Sequence, residues 1–145
     1  VLMRTLSKWG LAGLRLGFVQ ARVEVCEPLE KVRLPYNINV LSQSLGRLCL
    51  QHADAFEAQI QALLSARDSL AEALQAPGVE VYPSRANFLL LRVPDALGCQ
   101  QKLRAAGLQI KCLHGAHPLL DQCLRISIGS PAENQQLLSH WRAAL

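Results

Sequence analysis

The 145-residue sequence contains no CxxC pair, no clustered run of lysine and arginine, no internal repeat and no low-complexity stretch. Without a CxxC pair, neither a zinc site nor a redox dithiol is indicated. The five cysteines, Cys26, Cys49, Cys99, Cys112 and Cys123, are odd in number and far apart, which predicts buried free thiols in a reducing cytoplasm. Basic residues outnumber acidic ones by 15 to 11. They are scattered, so a solvated surface is expected rather than a nucleic-acid partner. No apolar run approaches the roughly 20 residues of a membrane-spanning helix, and the N-terminus lacks the basic, apolar, small-residue order of a cleavable signal. No membrane partner and a cytoplasmic location are therefore expected. His114 and His117 bracket a glycine in HGAHP, a segment with too few ligands for a metal, so a loop role is expected and no metal site.

What is present is the composition of a folded domain: half the residues are apolar and 18% are charged. The chain opens at Val1, without methionine and inside an apolar stretch, which predicts a piece of something longer. VLMRT reads as a short buried strand and LGFVQA as a second, with the glycine-rich segment around Gly10, Gly13 and Gly17 linking them. A short helix is expected from Glu27-Pro28 to about Arg33, stopped by Pro35. Another begins near Val40. A long amphipathic helix follows from about Asp54 to Leu74, its buried face marked by Phe56, Ile60, Leu63, Leu64, Arg67, Leu70, Ala71 and Leu74.

Beyond Pro77-Gly78 the pattern turns to short strands and helices. VEVY and NFLLLRV read as strands, the second apolar enough for burial on both faces. A helix from about Leu97 to Ala106 ends at Gly107. LQIKC alternates so that Lys111 faces away from the core, and CLRISIG does the same for Arg125 and Ser127. SPAE announces the last helix, with Ser130 as cap, Pro131 in the first turn and Glu133 closing a capping box. Leu137, Leu138 and Trp141 supply its buried face. The organisation expected is one unit over residues 1–45 and a second over 46–145.

Two places carry possible chemistry. In TLSKWGLAGLRLGF, Lys8 lies between Leu6 and Trp9, with Ser7 before it and Arg15 on the far side of a glycine-rich turn. Desolvation or a neighbouring cation makes a lysine amine nucleophilic towards carbonyls. A hydroxyl with a guanidinium suits a phosphate. These are the parts of a site for a phosphorylated aldehyde held through an imine; a solvated loop lysine is the alternative. The second place is Arg125, an arginine within an apolar alternating strand. It needs an anionic partner, either a structural carboxylate or a ligand's carboxylate or phosphate.

RTLSKWGLAGLRLGF resembles the cofactor-lysine motif of the fold-type I aminotransferases, which use pyridoxal 5′-phosphate. KVRLPYNINVLSQ, SRANFLLLRV and CLRISIGSPAEN resemble, in order and spacing, one branch of them, the histidinol-phosphate aminotransferases. The resemblance runs from the lysine segment to the C-terminus. It implies an α/β fold: the C-terminal end of a large cofactor domain plus a small α/β domain, linked by the long helix. It implies that Lys8 holds pyridoxal 5′-phosphate and shuttles the substrate proton. Ser7 and Arg15 would bind the cofactor phosphate, with Thr5 close by. Arg125 matches the arginine that binds the α-carboxylate of glutamate or 2-oxoglutarate, and Asn37 would sit near the substrate channel. Lys111 stands near the place of an arginine that helps many relatives bind the substrate phosphate. Lysine offers a point charge there without bidentate geometry, and the loop from Lys111 to Arg125 is about one residue longer than in those relatives.

The activity implied is transamination between histidinol phosphate and 2-oxoglutarate in histidine biosynthesis, by a homodimer. In that family the aspartate on the pyridinium nitrogen, the ring-stacking aromatic and the glycine-rich phosphate loop all precede the lysine, and a tyrosine comes from the other subunit. None can be assigned here, so these residues alone are expected to be inactive. Rival readings are an aromatic-amino-acid aminotransferase, a threonine-phosphate decarboxylase, and the aminotransferase-like ligand domain of a transcription regulator.

Overall fold

The computed structural model describes every residue from Val1 to Leu145. It divides into two compact units, Val1–Ile60 and Gln61–Leu145.

In the first unit, β1 (Leu2–Thr5) and β2 (Gly17–Gln20) form an antiparallel hairpin, with Leu2 opposite Gln20 and Thr5 opposite Gly17. Gly17 permits the close approach: a Cβ there would stand 3.0 Å from the Arg4 carbonyl oxygen. The expectation of a buried first strand is corrected. All four β1 residues are exposed, because a two-stranded sheet has no layer of this unit over its faces. The short helix also starts earlier than expected. Helix α1 spans Val23–Val32 and carries Pro28 inside it rather than at its start. Pro28 therefore leaves one intrahelical bond unmade. Helix α2 (Val40–Gln51) is capped by Asn39, whose side-chain oxygen accepts the Ser42 N–H at 2.8 Å.

Helix α3 (Ala53–Ala73) crosses the division between the units. In the second unit, β3 (Glu80–Val81), β4 (Phe88–Arg92), β5 (Lys111–Cys112) and β6 (Cys123–Ser127) form one antiparallel sheet in the order β3-β4-β6-β5. Helices α4 (Ala96–Ala105) and α5 (Pro131–Ala144) pack with it. The core gathers Leu70 and Leu74 with Leu89, Leu91, Leu103, Leu124, Ile126 and Trp141. Strand β4 is not buried on both faces: Leu89 and Leu91 are buried, while Phe88, Leu90 and Arg92 are half-buried. Helices cover a single side of this sheet, so only alternate residues reach the core. The capping box at Ser130 and Glu133 forms in full.

All five cysteines are free; Cys99 and Cys123 are buried and the other three half-buried. No helix is long and apolar enough to cross a membrane.

Candidate functional site

The residues singled out in the sequence fall in two places, one in each unit. In the first, the connection from β1 to β2 is made of two short 3-10 turns, Leu6–Trp9 and Ala12–Leu14. Thr5 starts the first turn: its Oγ1 accepts the Ser7 N–H at 3.1 Å, reaches the Leu16 carbonyl at 3.1 Å and lies 2.9 Å from Ser7 Oγ. Leu6 donates its N–H to the same Leu16 carbonyl at 3.1 Å, closing the base of the connection. Gly10, with φ 82°, ends the first turn in the left-handed region that glycine enters without steric cost. Arg15 ends the second turn in that region too, with φ 54°, where a side chain is strained. This strain sits beside the lysine turn, as is common near binding sites.

Lys8 lies in the first turn and is exposed. The apolar flanks do not cover it: Leu6 is buried beneath the turn, and Trp9 stacks on Phe56 of α3 with ring centroids 5.9 Å apart. That stack fixes the turn to α3, a role the sequence reading did not assign to either ring. Lys8 and Arg15 take part in no salt bridge. Asn37 is exposed near the start of α2, its Oδ1 accepting from Arg33 Nη1 at 3.3 Å.

The donor set of this connection suits pyridoxal 5′-phosphate. It offers an amine for an aldehyde carbon, two hydroxyls and a guanidinium for phosphate oxygens, and no carboxylate to repel them. A Cβ added at Gly13 would meet nothing within 4 Å, so the backbone there is open to close approach.

In the second unit, Lys111 of β5 is paired with Arg125 of β6, and both are exposed on the face opposite the buried Leu124 and Ile126. The expected alternation is thus present. Strand β5 pairs over Lys111 and Cys112 alone, although LQIKC alternates throughout. Beyond Lys111 the chain diverges from β6 and leaves a cleft of ≈ 450 Å³, lined among others by Gln109, Lys111, Arg125, Ser127, Glu133 and Asn134. Arg125 has no carboxylate partner; its guanidinium carbon lies 5.4 Å from the centre of the Phe88 ring. Such a contact contributes about 0.5–1 kcal/mol at an exposed site. Like charges directly opposite across a ladder repel. Of the acids near them, Glu133 is engaged elsewhere: its Oε2 accepts the Ser130 N–H at 2.7 Å, which holds its carboxyl below the usual carboxylate range. The pair therefore presents two cations without an ion-pair partner to a cleft of small-molecule size, whose lining also carries the Glu133 carboxylate.

The family described as aminotransferase class I and II matches residues 1–140. The chain belongs to the class I and II aminotransferases. It is 50% identical over 140 residues to a histidinol-phosphate aminotransferase of Chromobacterium violaceum, a match covering 96% of this chain and 39% of that protein. The chain thus spans about two fifths of the length of the curated relatives it matches. Among solved structures, it superposes with a TM-score of 0.84 on the histidinol-phosphate aminotransferase of Sinorhizobium meliloti, at 22% identity and over 98% of this chain and 40% of that one. It also superposes with a TM-score of 0.82 on the L-threonine-O-3-phosphate decarboxylase of Porphyromonas gingivalis, at 25% identity and over 97% of this chain and 45% of that one. The α/β aminotransferase architecture expected from the sequence is therefore the observed one, over the C-terminal portion of such structures.

Proposed function

We propose that this chain is the cofactor-lysine and small-domain part of a pyridoxal 5′-phosphate-dependent histidinol-phosphate aminotransferase, working as a homodimer in the cytoplasm. In this reading residues 1–45 end the large domain and residues 46–145 form the interdomain helix and small domain. The observation that carries it is the Lys111–Arg125 pair: two cations face one cleft without a carboxylate partner, and the substrates supply one phosphate and two kinds of carboxylate. The 50% identity to the Chromobacterium violaceum enzyme supports this substrate over threonine phosphate.

The roles follow from the chemistry of each group. Lys8 Nζ would hold the cofactor and, as the free amine, carry the proton taken from the substrate α-carbon. The hydroxyls of Ser7 and Thr5 and the guanidinium of Arg15 would hold the cofactor phosphate. Arg125 would bind the α-carboxylate of glutamate or 2-oxoglutarate as a bidentate partner. Lys111 would bind the phosphate of histidinol phosphate as a point charge, and Asn37 would line the substrate channel. Bound pyridoxal phosphate would supply the electron sink. The remaining cofactor contacts would come from residues preceding Lys8 in the longer protein, so this chain alone would be inactive.

The test uses the full-length protein, wild type and Lys8→Ala, incubated with pyridoxal phosphate and reduced with borohydride. The expected result is a mass adduct mapped to Lys8 in the wild type, none in the variant, and glutamate formation from histidinol phosphate that requires 2-oxoglutarate. Carbon dioxide release from threonine phosphate without 2-oxoglutarate would move the assignment to the decarboxylase. An unmodified Lys8 together with a DNA-binding segment upstream would move it to the regulator.

A further inference from the structure

The segment joining β5 to β6 is held by polar residues that the substrate reading leaves unused. Past the last strand pair, Cys112 against Leu124, the Leu113 N–H donates to the Cys123 carbonyl at 2.8 Å. The next contact outward is not backbone to backbone. There the Gln122 N–H donates to Nδ1 of His114 at 3.2 Å, a side-chain acceptor outside the strand ladder. A ring nitrogen that accepts carries no proton.

Gln122 is a junction. Its backbone is left-handed at φ 58°, its carbonyl accepts the Val93 N–H at 2.9 Å, and its side-chain Oε1 accepts the Ala96 N–H at 2.8 Å. Arg92 of β4 secures the same segment, donating from Nε to the Asp121 carbonyl at 3.3 Å and from Nη2 to the Leu119 carbonyl at 3.0 Å. The Asp121 carboxylate accepts the Gly115 N–H at 3.4 Å and lies 3.8 Å from His114 Nδ1. The segment is thus tied to β4 and α4 through Gln122 and Arg92, but to β5 through Leu113 and His114.

Strand β5 pairs through two residues; past them its register is held by the Leu113 and His114 contacts, and before them by the Gln100 side-chain amide, which donates to the Ile110 carbonyl at 2.9 Å. A slip of one position would turn Lys111 toward the core and Cys112 to solvent. We propose that His114, through its Nδ1 acceptor, is a positioning residue for the substrate-anion site, holding β5 in the register that sets Lys111 opposite Arg125. The inference rests on the reading of Lys111 and Arg125 as the anion-binding pair. His114 touches neither the anion nor the reacting atoms; it acts through β5.

The experiment uses the full-length holoenzyme and measures the calorimetric Kd for histidinol phosphate, with KM and kcat alongside. The variants are His114→Leu, which fills the space without an acceptor, and His114→Asn, which restores one, with Lys111→Ala and Arg125→Ala as controls. The expected result is that His114→Leu raises Kd and KM by about threefold to tenfold, the worth of one neutral hydrogen bond. His114→Asn should stay near wild type, and kcat should change little in both. Should the leucine variant not fold, His114→Ala replaces it. Weakened binding in the two controls with wild-type affinity in His114→Leu overturns the positioning role alone. So does an affinity loss that asparagine fails to restore. Unchanged affinity in both controls overturns the anion-site reading and this inference with it.

Discussion

Lys111 and Arg125 stand directly opposite each other on β5 and β6, both exposed and neither joined to a carboxylate. A fold gains nothing from that arrangement, since cross-strand like charges repel. Stability and affinity should therefore move in opposite directions when one charge is removed. On the proposed reading, Lys111→Gln should raise the urea midpoint of the full-length protein slightly while weakening histidinol phosphate by about tenfold to a hundredfold, the loss of one charge-assisted hydrogen bond. Parallel urea titration and calorimetry check this; a fall in both would mean that Lys111 supports the fold instead.

Trp141 joins the last helix to the end of the long one. Its Nε1–H donates to the Leu74 carbonyl at 2.9 Å within the core. Trp141→Phe keeps most of the ring but leaves that buried carbonyl without its donor, which costs about 1–3 kcal/mol. The expected readout is a lower urea midpoint with an unchanged denaturant slope. Trp141→Ala should cost more, about 3–5 kcal/mol, because it also opens a cavity.

Helix α5 depends on its capping box. Ser130→Ala removes the side-chain acceptor of the Glu133 N–H and should cost about 1 kcal/mol. Glu133 also makes this end of the helix sensitive to acid. Hydrogen bonds from Ser130 hold its carboxyl below the usual range. A carboxylate depressed in the folded state contributes stability above its unfolded value, lost as pH falls through the folded one. The wild type should therefore lose more stability between neutral pH and acid than Glu133→Gln, in denaturation curves taken across that interval.

Cys99 is buried in α4, and burial pushes its thiol up to about 11. The thiolate is the reactive form, so iodoacetamide at neutral pH should leave Cys99 unmodified in the folded protein. Denaturation should make it reactive. Mass spectrometry of the alkylated peptides before and after denaturant reads both states.

The legible parts of this protein were those set by local rules. The alternation in CLRISIG places Leu124 and Ile126 inside and Arg125 outside, as observed, because side-chain direction in a strand has a period of two. SPAE read as a capped helix start and is one, since a capping box closes within four residues. Arg125 was legible as unusual, and the structure shows its lack of a carboxylate partner. Less legible was the length of β5. LQIKC alternates along its whole length, yet pairing stops at Lys111, and no feature of those five residues says where β6 diverges.

The sequence alone determined which residue types could meet a phosphate and an aldehyde, and the order of helices and strands, because composition and periodicity act over a few neighbouring positions. Tertiary structure decided the rest. It stacked Trp9 on Phe56, left Lys8 exposed above a buried Leu6, and brought Lys111 opposite Arg125. It also set the His114 ring against the Gln122 N–H, eight positions along the chain. Each of those relations joins groups whose separation depends on how the connecting chain turns, and a turn's path is settled by the hydrogen bonds it completes with distant segments.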